Sequence, residues 1–265
     1  MLRIVNLCLI KYNFFIAFCS VAAILYFSIL TGVKISIFYY IFTFFGTLAV
    51  YNLFRLSLSF SQIFKKNQEK LSQILIIVGL LICSISFIFI PGNSKYSYIL
   101  PFILSFLYQF SFFGEKNLRR FPYFKILIIA FVWLLMTLIP FFEADLNPEK
   151  LTQIYFLCSS QFLFYISLAI PFDVFDQEKD EIKTLAKIIG PQKAINASIF
   201  SLFCFLLINL LENSNFEHKI AHISFTFIAS LSLLNYKKFQ TLAAQYFFID
   251  GLIILQVGIF FLISK

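Results

Sequence analysis

The sequence predicts an all-α membrane protein in which nine transmembrane helices form a single polytopic transmembrane domain over residues 1–265. Three observations support this fold class: an apolar composition, a series of helix-length apolar runs, and an uneven distribution of Lys and Arg. Apolar residues make up 60% of the chain, charged residues only 13%, and the mean hydropathy is +0.89. Soluble domains carry about 25% charged residues. The composition therefore excludes a soluble globular protein, a nucleic-acid-binding protein and a disordered chain.

Nine apolar runs follow one another along the chain, and each is close to the length that spans a bilayer. A hydrocarbon core of roughly 30 Å needs about 20 residues of α-helix. The runs are continuously apolar, whereas the strands of a membrane barrel alternate between apolar and polar residues. In order, the predicted transmembrane helices cover residues 13–31, 35–60, 73–90, 96–113, 124–142, 151–172, 194–211, 220–235 and 242–263.

Polar segments separate these helices from the second one onward. They read, in order, KKNQEK, PGNSK, GEKNLRR, EADLNPEK, DVFDQEKDEIKTLAKIIGPQK, ENSNFEHK and NYKKFQ. The fifth of them, after the sixth helix, is the longest and carries the densest cluster of acidic residues.

Lys and Arg are concentrated on one side of the predicted bundle. With the N-terminus in the cytosol, 16 of the 21 Lys and Arg residues fall on the cytosolic side. The remainder are Lys34, Lys95, Lys150, Lys219 and Lys265. Cytoplasmic loops of membrane proteins are enriched in Lys and Arg. We therefore expect a multi-pass protein of a bacterial inner membrane with a cytosolic N-terminus.

The acidic cluster after the sixth helix is the first candidate site. Pro171 precedes it and is expected to loosen or kink the end of that helix. On a helix, Asp173, Asp176 and Asp180 would project from one face. Mg²⁺ is commonly held by one or two carboxylates together with substrate phosphates. A second interpretation is that nearby lysines neutralise the acids in a solvated loop, namely Lys179, Lys183 and Lys187.

The segment around this cluster resembles a known motif. Residues 171–185, PFDVFDQEKDEIKTL, are similar to the second aspartate-rich motif of the UbiA-type intramembrane prenyltransferases. Residues 118–133, LRRFPYFKILIIAFVW, and residues 245–256, QYFFIDGLIILQ, are similar to the corresponding segments of that family. The predicted nine helices, the cytosolic N-terminus and the position of the motif agree with the resemblance.

The resemblance implies a fold, a reaction and a cofactor. Helices would surround a central cavity in which Mg²⁺ helps to ionise a prenyl diphosphate, and the allylic cation would then alkylate an aromatic or other lipid-soluble acceptor. By resemblance, Asp176 and Asp180 are the catalytic Mg²⁺ ligands, and Asp173 assists them. The active face would be cytosolic. A bound metal ion would stabilise the charge that develops on the departing diphosphate.

The first aspartate-rich motif of the family departs from its pattern in this chain. The pattern N-D-x-x-D-x-x-x-D aligns with residues 52–60, in which Asn52 is the one matching residue. Leucine or phenylalanine stands at the aspartate positions, which are Leu53, Leu56 and Phe60. Arg55 is a candidate diphosphate ligand because a guanidinium can bind phosphate bidentately. Alternatively, Asn52 and Arg55 form an interfacial helix end with the Arg55 side chain at the lipid headgroups.

Four further basic residues are candidate substrate ligands: Lys116, Arg119, Arg120 and Lys183. The first three precede the fifth helix, and the family's Tyr-x-x-x-Lys pattern at this place is changed because Phe112 stands at the Tyr position. Ordinary membrane anchoring explains these three residues equally well. Lys183 would bind a diphosphate or pair with a neighbouring aspartate.

Asp250 is a separate candidate because it lies inside the ninth predicted helix. It is eight residues from the start of that run, which is roughly 12 Å along the helix. A carboxylate at such depth normally faces a cavity or a partner, so we predict a substrate-binding role. The alternative is a structural hydrogen bond to a neighbouring helix, for example to Asn235.

Two functional hypotheses follow from these observations. The first is an enzyme that transfers a prenyl group from its diphosphate to a lipid-soluble acceptor within the membrane. The second is a non-catalytic protein of the same fold that binds or moves a polyprenyl lipid, and it rests on the altered first motif. A small-solute transporter has little support because the sequence lacks the paired broken helices and internal repeats of many transporters.

Overall fold

The structure is a computed structural model of the chain, and it describes residues 9–56, 70–110, 121–142, 148–177, 184–212, 215–239 and 241–263. Every regular element in these ranges is helical, and they contain no β-strand. The prediction of an all-α fold is therefore confirmed for the described part of the chain.

Within the described ranges, eleven α-helices are numbered in chain order. They are α1 Phe14–Thr31, α2 Ile37–Leu56, α3 Lys70–Phe89, α4 Ile99–Gln109, α5 Pro122–Leu138, α6 Pro148–Phe175, α7 Leu185–Ile189, α8 Pro191–Leu211, α9 Phe216–Leu234, α10 Leu242–Gln245 and α11 Gly251–Ile263. A π-helix, Tyr246–Asp250, joins α10 to α11. Short 3₁₀ turns cover Ser94–Tyr98, Ile139–Phe141 and Tyr236–Lys238.

Seven of the helices in the described ranges are long and apolar enough to cross a membrane. They are Phe14–Thr31, Ile37–Leu56, Lys70–Phe89, Tyr123–Phe141, Lys150–Phe175, Pro191–Leu211 and Leu242–Ile263. The other two predicted spans, 96–113 and 220–235, coincide with α4, which has only 11 residues, and with α9, whose first turn is polar. The chain is a multi-pass membrane protein, while the nine spans and the cytosolic N-terminus stay predictions.

The largest hydrophobic core lies where α1, α6, α8, α9 and α11 meet. Its fully buried aromatic side chains include Phe27, Phe164, Phe205, Phe225 and Phe260. The rings of Phe164, Phe205 and Phe225 contact one another, with centroids between 5.3 and 5.9 Å apart. Many other Phe and Leu side chains on the same helices are exposed, as expected of surfaces that face lipid. The helices therefore present apolar residues to the interior and to the membrane.

The end of α6 is fixed to α8 by two serine hydroxyls. The helix does not end at Pro171 but continues to Phe175. Because proline has no N–H, the carbonyl of Ser167 cannot make its usual helical bond. The hydroxyl of Ser198 donates to that carbonyl at 2.5 Å, and the hydroxyl of Ser201 donates to the carbonyl of Leu163 at 2.8 Å. These bonds position the last turns of α6, which carry Asp173 and lead directly to Asp176.

Candidate active site

A cavity of about 200 Å³ lies between α2, α4, α5, the end of α6 and the π-helix. Three charged side chains line it: Lys125, Asp176 and Asp250. The rest of the wall is apolar or aromatic, and its rings are those of Tyr51, Tyr108, Trp133, Tyr165, Phe172 and Tyr246. Asp176 and Asp250, which the sequence singled out by two different arguments, therefore line the same cavity.

The cavity has two regions, which we call the mouth and the deep end. The mouth comprises Lys125 in the first turn of α5 and Asp176 directly after α6. The deep end comprises Trp133, Tyr165 and Asp250. Counted from the helix ends at the mouth, which are Pro122, Phe175 and Leu242, they lie 11, 10 and 8 residues inside, or roughly 12–16 Å at 1.5 Å per residue. The two carboxylates thus occupy different depths and different surroundings.

At the mouth, Lys125 forms an ion pair with Asp173. The Lys125 Nζ lies 2.5 Å from the Asp173 Oδ1, and the two side chains are 7% and 1% exposed. The other oxygen, Oδ2, accepts a hydrogen bond from the N–H of Leu185 at 3.3 Å. Asp173 is therefore bound to the start of α5 and to the start of α7, and it does not line the cavity. Thr184 caps α7 by accepting from the N–H of Lys187 at 3.3 Å.

At the deep end, Asp250 is the last residue of the π-helix and is only 7% exposed. Its carboxylate makes no hydrogen bond or ion pair with the described part of the chain. Tyr51 and Tyr246 are its electrostatic neighbours. Its backbone carbonyl accepts from the thiol of Cys19 at 3.4 Å. Asn235, the alternative partner, instead donates its amide to the carbonyl of Leu231 at 2.8 Å.

The aromatic side chains of the deep end are held in fixed orientations. The Tyr51 hydroxyl lies near the Trp133 indole. The Tyr165 hydroxyl lies 3.0 Å from the hydroxyl of Thr137, and its ring centroid is 5.8 Å from that of Trp133. Aromatic faces carry partial negative charge and attract cations. The deep end is therefore suited to an apolar chain and to a carbocation.

The remaining predicted site residues fall into three groups. Asn52 is buried away from the cavity, and its amide donates to the carbonyls of Tyr12 at 2.9 Å and Leu48 at 2.8 Å. Arg55 is exposed in the last turn of α2 and interacts electrostatically with Tyr246. Five others lie outside the described residues, namely Lys116, Arg119, Arg120, Asp180 and Lys183.

Several lining residues were not predicted as site residues. Lys125 carried a usable signal, because it is a lone lysine in an apolar helix, although it was predicted only to be one of the cytosolic charges. Trp133 is the only tryptophan of the chain. Nothing in the sequence separated the lining tyrosines, such as Tyr51 and Tyr246, from the other aromatic residues.

The side chains at the mouth determine how a metal ion could be coordinated there. Within the described ranges, no group of three or more His, Cys, Asp or Glu side chains could hold a metal ion. Asp173 is already bound to Lys125, so Asp176 is the one described aspartate of the motif that faces the cavity. Mg²⁺ usually keeps few protein ligands and shares phosphate oxygens, and the described part of the mouth offers one carboxylate, Asp176, that could share such an ion with a diphosphate.

Comparison with known proteins supports the fold. No family model and no curated protein matches the sequence. The structure is similar to a solved structure of digeranylgeranylglyceryl phosphate synthase, a protein studied in membranes, with a TM-score of 0.59. The match covers 97% of this chain and 95% of that chain at 15% sequence identity. At this identity the likeness shows a shared fold, and the helices of this chain are arranged as in that synthase.

Proposed function

We propose that this protein transfers a prenyl group from a prenyl diphosphate to an aromatic or other lipid-soluble acceptor within the membrane, assisted by Mg²⁺. The observation that carries the proposal is the meeting of Asp176 and Asp250 in one aromatic cavity. The fold supports it as well, because digeranylgeranylglyceryl phosphate synthase is a UbiA-type intramembrane prenyltransferase.

In this proposal the diphosphate occupies the mouth. Asp176 and Asp180 would hold Mg²⁺ on the diphosphate, and Asp173 keeps the end of α6 in place. Arg55 contributes a positive charge at the end of α2. Carboxylates alone would repel a diphosphate, so a cation between them is required for binding. When bound, Mg²⁺ neutralises charge on the leaving diphosphate.

The prenyl chain extends from the mouth into the aromatic part of the cavity. The rings of Phe172 and Tyr246, whose centroids are 5.6 Å apart, lie where the chain would enter. Trp133 and Tyr165 lie further in and exclude water from the allylic cation. The negative faces of these rings would stabilise the cation before the acceptor attacks it.

The side of the membrane is also part of the proposal. The distribution of Lys and Arg along the sequence supports a mouth at the cytosolic face of a bacterial inner membrane. A water-soluble diphosphate would then enter from the cytosol, and the lipid-soluble acceptor would enter from the bilayer.

The proposal is tested by diphosphate release from geranylgeranyl diphosphate. Purified protein would be assayed with a host lipid extract and Mg²⁺, then with EDTA in place of the metal. We expect release to need Mg²⁺ and to fall about 100-fold or more in Asp176→Asn, because a metal-held leaving group is worth several kcal/mol. Glu217→Gln is the matched control, since Glu217 is an exposed acid at the start of α9. Release that is equal with EDTA, or equal in Asp176→Asn, would contradict the proposal.

A second candidate is a non-catalytic protein that binds or moves a polyprenyl lipid. One observation favours it: α2 presents Leu53 and Leu56 where the first motif of the family has aspartates, so the site has fewer carboxylates. In that case geranylgeranyl diphosphate would bind with equal affinity in Mg²⁺ and in EDTA, binding would depend on Arg55, and no diphosphate would be released. Any measured turnover would exclude this candidate.

A further inference from the structure

In the proposed function, Asp250 does not bind the diphosphate. Its carboxylate is 7% exposed and faces the cavity without a hydrogen bond or ion pair to the described residues. A buried carboxylate without a partner costs several kcal/mol, and an ionisable residue within a membrane that faces a cavity marks a functional site by default. None of the described residues supplies a polar group to complete it, and a molecule in the cavity can do so.

The position of Asp250 indicates which molecule that is. Asp176 and Lys125 at the mouth mark where the diphosphate lies, and Asp250 lies roughly 12 Å inside its helix among aromatic rings. A prenyl chain is a hydrocarbon and offers no hydrogen bond to a carboxylate. The acceptor is the other substrate, and it must bring a polar nucleophilic group to this depth.

We infer that Asp250 binds the acceptor and takes the proton that the acceptor loses during prenyl transfer. The acceptor then belongs to the lipid-soluble alcohols and phenols, whose O–H group can donate to a carboxylate. This inference rests on the proposed function and assigns the two carboxylates of the cavity to different substrates.

The reaction balances with this assignment. The bond between C1 of the prenyl group and the diphosphate oxygen breaks, and its electron pair leaves with the diphosphate. The nucleophilic oxygen or ring carbon of the acceptor supplies the electron pair of the new bond to C1. The proton from that atom goes to a carboxylate oxygen of Asp250, and from there to water after the product leaves.

The π-helix explains how Asp250 is held in place. One extra residue in the turn Tyr246–Asp250 interrupts the regular bonding of the helix, and such turns are frequent at functional sites. The thiol of Cys19 donates to the Asp250 carbonyl, and the ring of Phe15 lies 3.4 Å from a Cβ placed on Gly251. Contacts from α1 thus fix the backbone of Asp250 from behind while its side chain faces the cavity.

Trp133 provides a direct measurement of binding, because it is the only tryptophan and lines the deep end. Its fluorescence would be titrated with 4-octylphenol as the acceptor probe and with geranylgeranyl diphosphate and Mg²⁺. For Asp250→Leu we expect the Kd of 4-octylphenol to rise about tenfold or more and that of the diphosphate to change less than about twofold. Asp176→Asn should show the reverse pattern, and Glu217→Gln should change neither. Equal Kd values of 4-octylphenol in wild type and Asp250→Leu would overturn the inference.

The proton transfer is tested separately from binding. Asp250→Asn keeps the shape of the side chain but cannot take a proton, so we expect prenyl transfer to fall about 100-fold or more while the diphosphate Kd is unchanged. In Asp250→Ala, added formate should restore part of the transfer, because it can occupy the space of the missing carboxylate. Transfer by Asp250→Asn at the wild-type rate, or no response to formate, would contradict the proton transfer.

The proposed function and the binding of the acceptor by Asp250 are contradicted by different results. If wild-type protein releases no diphosphate under any condition, the proposed function fails, and the proton transfer fails with it. The fluorescence titrations would still decide whether Asp250 forms an acceptor site, because they need no turnover.

Discussion

The ammonium group of Lys125 lies 2.5 Å from the carboxylate of Asp173, and both side chains are almost completely buried. The pair joins the first turn of α5 to the end of α6, which are distant in sequence. Because Asp173 also accepts from the N–H of Leu185, one carboxylate holds three segments of the chain together. This relationship makes Asp173 a positioning residue for the mouth of the cavity.

Breaking this ion pair on one side should destabilise the protein strongly. We expect Lys125→Met and Asp173→Leu each to lower the free energy of unfolding by about 3–5 kcal/mol, because each leaves an unpaired buried charge. The double variant should recover much of that loss. Thermal unfolding in detergent would measure all three, and single variants with wild-type stability would show that the pair is not formed.

The hydroxyl of Ser198 should contribute to stability only because Pro171 leaves the Ser167 carbonyl without its helical hydrogen bond. We expect Ser198→Ala to cost about 0.5–1.5 kcal/mol, since the Ser167 carbonyl loses its hydrogen bond in an apolar interior. In a Pro171→Ala background the helix can satisfy that carbonyl itself, so the same change should cost less. A double-mutant cycle by unfolding measures the difference, and strict additivity would contradict the explanation.

Replacement of Asn52 should mainly lower the stability of the protein and not its affinity for substrate. A carboxylate cannot donate to the carbonyls of Tyr12 and Leu48, so Asn52→Asp should lower the free energy of unfolding by about 2 kcal/mol. Asn235→Asp is the control, because that amide bonds within its own helix near the surface. Unchanged stability together with weaker binding of geranylgeranyl diphosphate would instead support the direct role that the sequence predicted.

Arg55 should bind diphosphate through its charge. We expect Arg55→Gln to raise the Kd of geranylgeranyl diphosphate about tenfold at low ionic strength, and the difference to shrink as salt is added. The exposed Lys34, between α1 and α2, supplies the control Lys34→Gln. Fluorescence of Trp133 would measure both. A salt-independent effect, or an equal effect of the control, would exclude a direct electrostatic role.

Much of the architecture could be predicted from local sequence. Hydrophobic runs located the long helices, because a bilayer imposes a length that can be counted. Asp176 was predicted from a motif and Asp250 from the cost of a charge at depth, and neither argument needed a partner to be known. The acidic spacing also predicted that Asp173 faces the same way as Asp176, whereas in the structure Asp173 pairs with Lys125 and does not line the cavity.

The assembly of the site could not be predicted in the same way. The pairing of Asp173 with Lys125 depends on how α5 lies against α6, and no local pattern contains that contact. Aromatic residues are 20% of the chain, so the rings that line the cavity do not differ in sequence from those that face lipid. The hydrogen bond from Ser198 to the Ser167 carbonyl could not be predicted, because the sequence does not show which helix lies beside Pro171.

The π-helix makes the length of the last helix as important as its composition. Each residue of an α-helix advances about 100° and 1.5 Å, so removal of one residue from Tyr246–Asp250 would turn all of α11 by that amount. Gln256 and Phe260, which are buried in the bundle, would then be directed elsewhere. Substitution of the exposed Phe247 should therefore be tolerated where its deletion is not. The length of this single turn therefore decides which side chains of the last helix are buried in the bundle.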